Sequence, residues 1–210
     1  MNLEGTVRKR GPYNEAELMS KLWAVVILTC GAVSAAAPPR FELRDTKGIV
    51  HRADEWQGKR AVVLFFMMTD CPLANGYVPE MNRMRGIYEP RGVAFYAVQS
   101  DNTVSDAVVQ KYAQEFGYGF PVLNDSRLTL ARFAEAKVTP EVAILSPAGE
   151  VLYLGRIDNK VEDITRPRYA ATEPELRNAI DAVLAGKAPK EARTRAVGCA
   201  INISIKPESK

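Results

Sequence analysis

The chain has 210 residues and little cysteine: Cys30, Cys71 and Cys199 are all it carries. Its one histidine is His51. There is no low-complexity tract and no internal repeat, which excludes a repeat array. The formal net charge is only +3, with both signs spread along the chain. That excludes a basic stripe for nucleic acid and a polybasic membrane patch. No apolar run reaches the roughly 20 residues that a bilayer span needs. What remains is an ordinary globular composition, 47% hydrophobic and 25% charged, on a chain long enough for one domain and an extra segment.

The extra segment is N-terminal. Lys21 precedes a short apolar stretch from Leu22 to Val33, which ends in Ser34-Ala35-Ala36-Ala37 and then Pro38-Pro39. Charge, apolar run and small-residue site in that order make a secretory leader. Residues 1–37 are therefore expected to be a signal peptide with an over-long front, cut after Ala35 and removed rather than kept as an anchor. Met19 is a second candidate start. Ile27-Leu28-Thr29 ahead of Cys30 is a poor lipoprotein signal. Cleavage takes Cys30 away and leaves Cys71 and Cys199 in an oxidising compartment, periplasmic or secreted. An even pair there is a disulfide candidate. Two readings stay open: a structural bridge tying the tail down, or a redox pair.

Residues 38–186 read as one domain and 187–210 as a polar tail. Phe41–Leu43 and Gly48–Val50 are expected to be short paired strands, and Ala53–Gln57 a helical turn. Ala61 to Met67 is apolar throughout, as in a strand buried on both faces. Leu73, Tyr77, Met81, Met84 and Tyr88 recur at spacings of three and four, which predicts a helix over 72–88, with Pro79 kinking or splitting it. Val93–Val98 is a second buried strand. A helix over 106–116 follows, with Ser105 as N-cap. A short strand over 121–123 and a helix over 128–136 come next. Val138 to Leu145 and Val151 to Leu154 make a hairpin around Pro147-Ala148-Gly149. A last helix runs over 174–185. This βα order predicts a mixed central sheet covered by helices.

Cys71 stands where the first long strand ends and the helix begins. As N-cap, with Pro72 at the first helical position, it lies at the positive helix end near free N–H groups. Both favour a thiolate, the nucleophilic form. Asp70 opposes this by its charge and is expected to face solvent. Met67, Met68, Met81 and Met84 fall in the strand and on the apolar helix face, which fits core packing rather than a soft-metal site.

A buried strand running into Cys71-Pro72, a Thr139-Pro140 entering a hairpin, and a final helix together resemble thioredoxin-like proteins. The redoxin branch is the most similar; it includes the peroxiredoxin-like (AhpC/TSA) and membrane-tethered thiol–disulfide proteins. The resemblance runs from Phe41 to Ala185, and Tyr153-Leu-Gly-Arg-Ile-Asp158 also looks like a redoxin hairpin end. It implies an α/β, thioredoxin-like three-layer fold with helices on the mixed sheet. It also implies a cis Thr139–Pro140 bond facing the cysteine, and a Thr139 backbone free to hold an extended partner chain.

Several positions depart from the family patterns. Where thioredoxins have a second cysteine, position 74 is Ala74, so no disulfide closes at the helix start. No Asp or Glu lies between Ala61 and Thr69, so the buried carboxylate of thioredoxins looks absent. Thr69 stands two positions before Cys71, where peroxiredoxins have it at three, and no proline accompanies it. Copper-assembly proteins need a cysteine at position 75 and a later histidine; the chain has Asn75, and His51 comes earlier and reads as an exposed residue without a role.

Cys199 is the remaining thiol, in the tail's only apolar patch, Val197-Gly-Cys-Ala-Ile201. Gly198 permits close backbone approach, and a long loop adds little closure cost. The expected activity is attack by Cys71 on a disulfide or a peroxide, with Cys199 resolving the product and an external thiol donor restoring the pair. Pro72, Thr69, Thr139 and Pro140 support the site, and Arg156 is expected to steady the thiolate. No cofactor and no metal are called for. Expected partners are the thiol donor and a disulfide-bearing client protein or peroxide, with no nucleic acid and no stable membrane span after processing. The other reading is a non-catalytic thioredoxin-like binding module that holds a client or a metal-delivery partner, with a fixed Cys71–Cys199 bridge.

Overall fold

The computed structural model describes residues 39–163 and 168–203. The leader assigned to residues 1–37, with Met19 and Cys30, lies outside them.

Two long strands set the frame. Strand β3 (Ala61–Met67) is buried at every position, and so is β4 (Val93–Gln99). They pair in parallel in register Ala61↔Val93 through Met67↔Gln99. Ahead of them, β1 (Glu42–Arg44) and β2 (Val50–Arg52) form a separate antiparallel pair, followed by a 3-10 turn, Ala53–Trp56. β5 (Val122–Asn124) extends the sheet in parallel beside β4. β7 (Glu141–Leu145) runs antiparallel beside β3 and makes the expected hairpin with β8 (Val151–Gly155). The sheet order is β5-β4-β3-β7-β8, a mixed sheet whose hydrophobic middle strands need cover on both faces.

Helices supply that cover. α1 (Pro72–Tyr88), α2 (Asp106–Glu115) and α4 (Glu175–Leu184) bury their apolar faces on the side of Val63, Phe65 and Met67. α3 (Thr129–Ala134) and Trp56 cover the side of Val62, Leu64 and Phe66. With the Thr139–Pro140 bond cis at the entry to β7, this is the thioredoxin-like fold. The four methionines are all core residues.

Three local expectations change. Pro79 lies inside α1 without splitting it; the cost of a proline is one backbone rung, and Tyr77, Val78, Met81 and Met84 around it are buried. α3 is shorter than expected because Asp125 dictates where it starts. The Asp125 carboxylate accepts the N–H groups of Thr129, Leu130 and Ala131 at 2.7, 2.9 and 3.1 Å, over a left-handed Leu128 (φ 54°). Asp125→Ala would leave those first-turn donors without an acceptor, and is expected to cost about 2 kcal/mol, read as a lower denaturant midpoint. His51 is not exposed: it is 8% accessible, its Nδ1 lies 2.8 Å from Glu55 and its Nε2 3.4 Å from Asp45.

The tail packs on this body at two places. Thr194 comes first: its N–H donates to the Leu154 carbonyl at 3.1 Å, and Leu154 donates to Ala192 at 2.9 Å, on the open edge of β8. A side chain at Gly155 would collide there, with its Cβ 2.0 Å from Thr194 Oγ1. The chain then crosses to β6 (Val138–Thr139), where β9 (Cys199–Ala200) pairs antiparallel with it in register Val138↔Ala200 and Thr139↔Cys199. Ile201 anchors that end, 6% exposed, in the core layer with Leu128 and Leu154.

Candidate active site

The turn at Thr69 and Asp70 leaves β3 and brings Cys71 to the start of α1. Cys71 is the N-cap, with φ −94° and ψ 100°, and Pro72 follows in the first turn. Asn75 N–H donates to the Cys71 carbonyl at 3.2 Å, so the helix ladder begins at this residue. Asp70 is exposed, as the sequence suggests, and Thr69 is buried. The sulfur itself has no solvent contact: Cys71 is 0% exposed.

What covers it is the tail. The Cys71 thiol donates to the Thr139 carbonyl at 3.0 Å, and Cys199 stands opposite Thr139 in the β6–β9 register, packed against the core layer that holds Cys71. The two thiols are free and not joined to each other. Burial pushes the Cys71 thiol up. Hydrogen bonds with Cys199 and Thr139, and the nearby N–H groups of Ala74 and Cys199, outweigh it, so the net shift is down. The Thr139 hydroxyl is buried with no other partner, which leaves it available to a thiolate. Cys199 moves the opposite way. Burial, the hydrogen bond to Cys71, the Cys71 charge and then Asp70 push it up to about 11. Of the two thiols, Cys71 is therefore the one that gives up its proton first.

Comparison with known proteins meets this geometry. The model of the AhpC/TSA family matches residues 33–154. The chain belongs to the AhpC/TSA family. Among curated relatives, a thiol-disulfide oxidoreductase ResA of Geobacillus kaustophilus is 32% identical over 138 residues, 66% of this chain and 77% of that protein. Among solved structures, an uncharacterized conserved protein from Geobacillus kaustophilus superposes with TM-score 0.69 at 30% identity, covering 82% of this chain and 92% of that one. A hypothetical protein from Sinorhizobium meliloti gives TM-score 0.66 at 26% identity, over 79% and 92%. This AhpC/TSA protein is an oxidoreductase of the redoxin kind.

Two expectations about its site are corrected. The Thr139 edge is not free: β9 occupies it, because Gly198 has no side chain to keep the tail away. A Cβ at Gly198 would lie 2.0 Å from the Thr139 oxygen and 3.2 Å from Pro140 Cδ. Nor does Arg156 serve the thiolate. Its guanidinium is taken by Glu175 at 2.5 Å and Glu162 at 3.3 Å. Its backbone N–H donates to Thr194 Oγ1 at 3.0 Å. Arg156 braces α4 and the tail, its charge held by two carboxylates.

Other groups had no signal in the sequence. Glu141 is a buried carboxylate, but it pairs with Phe66 on the sheet face away from Cys71. Its Oε2 accepts the Lys137 N–H at 2.7 Å and so shapes the β6 edge. On the Cys71 face, Asn75 donates to the Tyr112 hydroxyl. Burial, then the charges of Tyr112 and Cys71, push Tyr118 up and keep it protonated. Its hydroxyl, the Asn75 Oδ1 and both amide atoms of Gln99 are buried without hydrogen-bond partners. Among the described residues, no helix is long and apolar enough to cross a membrane.

Proposed function

We propose that the protein is an exported thiol–disulfide oxidoreductase in which Cys71 and Cys199 form the redox pair. The observation that carries the reading is the β6–β9 register, which sets Cys199 opposite Thr139, the residue whose carbonyl accepts the Cys71 thiol at 3.0 Å at the start of α1. Cys71 as thiolate attacks a sulfur of a client disulfide; the client's other sulfur leaves and takes a proton. Cys199, once deprotonated, attacks Cys71 and releases the client as a dithiol. The Cys71–Cys199 disulfide that forms is reduced again by an external thiol donor. Thr139 and Pro72 serve as positioning residues: Thr139 bonds to the sulfur and Pro72 starts the helix that points its N–H groups at it. Pro140 follows Thr139 through a cis bond, and Thr69 lies in the turn two residues before the cysteine. Kinship with a thiol-disulfide oxidoreductase supports a disulfide substrate over peroxide, as does a site built around a strand edge. The leader pattern of residues 1–37 supports action in the periplasm or outside the cell.

Stoichiometric oxidation tests the pair. The reduced, mature protein, treated with one equivalent of oxidised glutathione, is expected to lose two hydrogens in mass (one disulfide). Proteolytic mapping should join the Cys71 and Cys199 peptides, and the same spectrum reads whether the leader is gone. Separate glutathione adducts on the two thiols would overturn the pairing.

A further inference from the structure

Strand β6 lies outside the five-stranded sheet, and among the described residues the strand paired with it is β9. Ile201 N–H donates to the Lys137 carbonyl at 2.9 Å and extends that pairing by one step. A strand edge accepts one extended partner at a time. Cys71 is sealed beneath this same pairing, with no solvent contact. A client polypeptide that brings a sulfur to Cys71 must therefore take the space of residues 198–200, while Cys199 reaches Cys71 only from that space.

We propose that the tail strand and an extended, cysteine-bearing client exchange places on the Val138–Thr139 edge, so that the re-seating of residues 198–201 delivers Cys199 to Cys71 and expels the client in one event. Gly198 is the positioning residue, because only a bare backbone passes the Thr139 carbonyl at the observed distance. This inference rests on the redox-pair reading above. In the first half, β9 peels away and the Cys71 thiolate attacks one client sulfur. The client S–S bond breaks, its second sulfur leaves as a thiolate and is protonated, and the client is held on Cys71 by a mixed disulfide. In the second half, Cys199 gives up its proton and attacks the Cys71 sulfur. The Cys71–Cys199 bond forms as the Cys71–client bond breaks, and the departing client sulfur takes a proton. The client gains two electrons and the dithiol loses two, so the balance closes without another reagent.

The test uses the full, reduced chain and a short extended peptide whose single cysteine is activated as its 5-thio-2-nitrobenzoate disulfide. The coloured leaving group reports capture by Cys71, and mass spectrometry reports release of the peptide. The native chain should capture and release. Cys199→Ser should capture and hold. Gly198→Val keeps the Cys199 thiol but denies the strand its seat. It should capture at least as fast as the native chain and release about 100-fold more slowly, the scale of loss when a reacting group is misplaced. Release from a folded Gly198→Val chain at the native rate would overturn strand exchange while leaving the redox pair standing. Should that variant not fold, as circular dichroism would reveal, hydrogen exchange on Cys199→Ser gives the answer. The Ile201 amide should lose its protection when the peptide sits on Cys71, and retained protection would overturn the proposal. No capture by the native chain would remove both readings together.

Discussion

Cys71→Ser is expected to lower the rate of disulfide exchange by about a thousandfold or more, to the level of the uncatalysed donor, because a serine hydroxyl neither ionises near neutral pH nor exchanges with sulfur. The substitution is close to isosteric at a buried helix start, so the fold should hold. The hydroxyl introduced there can still donate to the Thr139 carbonyl. The measurement is reduction of a protein disulfide by the protein with a low-molecular-weight thiol donor. It runs beside peroxide consumption under the same donor, since both reactions need the same sulfur. Retention of either activity in the variant would remove Cys71 from the chemistry. Loss of disulfide exchange in a protein that never consumed peroxide would assign the substrate as well.

The second large effect is on Cys199, measured by ultraviolet absorbance of its thiolate as pH rises. In the dithiol protein burial, the hydrogen bond to Cys71 and the Cys71 charge hold it at about 11. Removing Cys71 removes the second and third of those causes and leaves burial and Asp70. The Cys199 midpoint in Cys71→Ser is therefore expected to fall from about 11 toward the ordinary thiol range near about 8.5 without reaching it. The sign follows from charge: a raised thiol pKa means the protonated form is favoured, and taking away the neighbouring anion takes away that preference. Each unit recovered means about ten times more thiolate at a given pH below the midpoint. A mixed disulfide on Cys71 discharges the same anion, so Cys199 stays silent in the resting dithiol and gains nucleophilicity once Cys71 has reacted. A midpoint unchanged by the substitution would end this account.

The parts of the fold that were legible in the sequence are those with local causes. Ala61–Met67 is apolar at every position and Pro72–Tyr88 repeats its large side chains at helical spacing, so both elements fall where the pattern puts them. The cysteine's place at the N-cap follows from the same boundary and the proline after it. The short helix over Thr129–Ala134 was less legible because a side chain outside it, Asp125, determines its first turn. The site was half legible. Both thiols could be named, and the bare approach at Gly198 could be anticipated. The occupant of the Thr139 edge could not, since pairing between residues sixty positions apart leaves no periodicity to read. Arg156 misled for a related reason: its carboxylate partners come from α4 and the loop before it, not from its own hairpin.

Thr194 holds the tail from below, its hydroxyl shared between the Arg156 N–H and the Tyr153 hydroxyl. From that pin to Cys199 the chain can stretch roughly 17 Å, a leash that lets the sulfur swing clear yet never wander. Kept on so short an arm, it meets its target at an effective concentration in the millimolar range or above. Diluting the protein would therefore leave the closing step as fast as before, and a solitary molecule would expel its client without a thiol from a second copy, needing only the external donor to reset the pair.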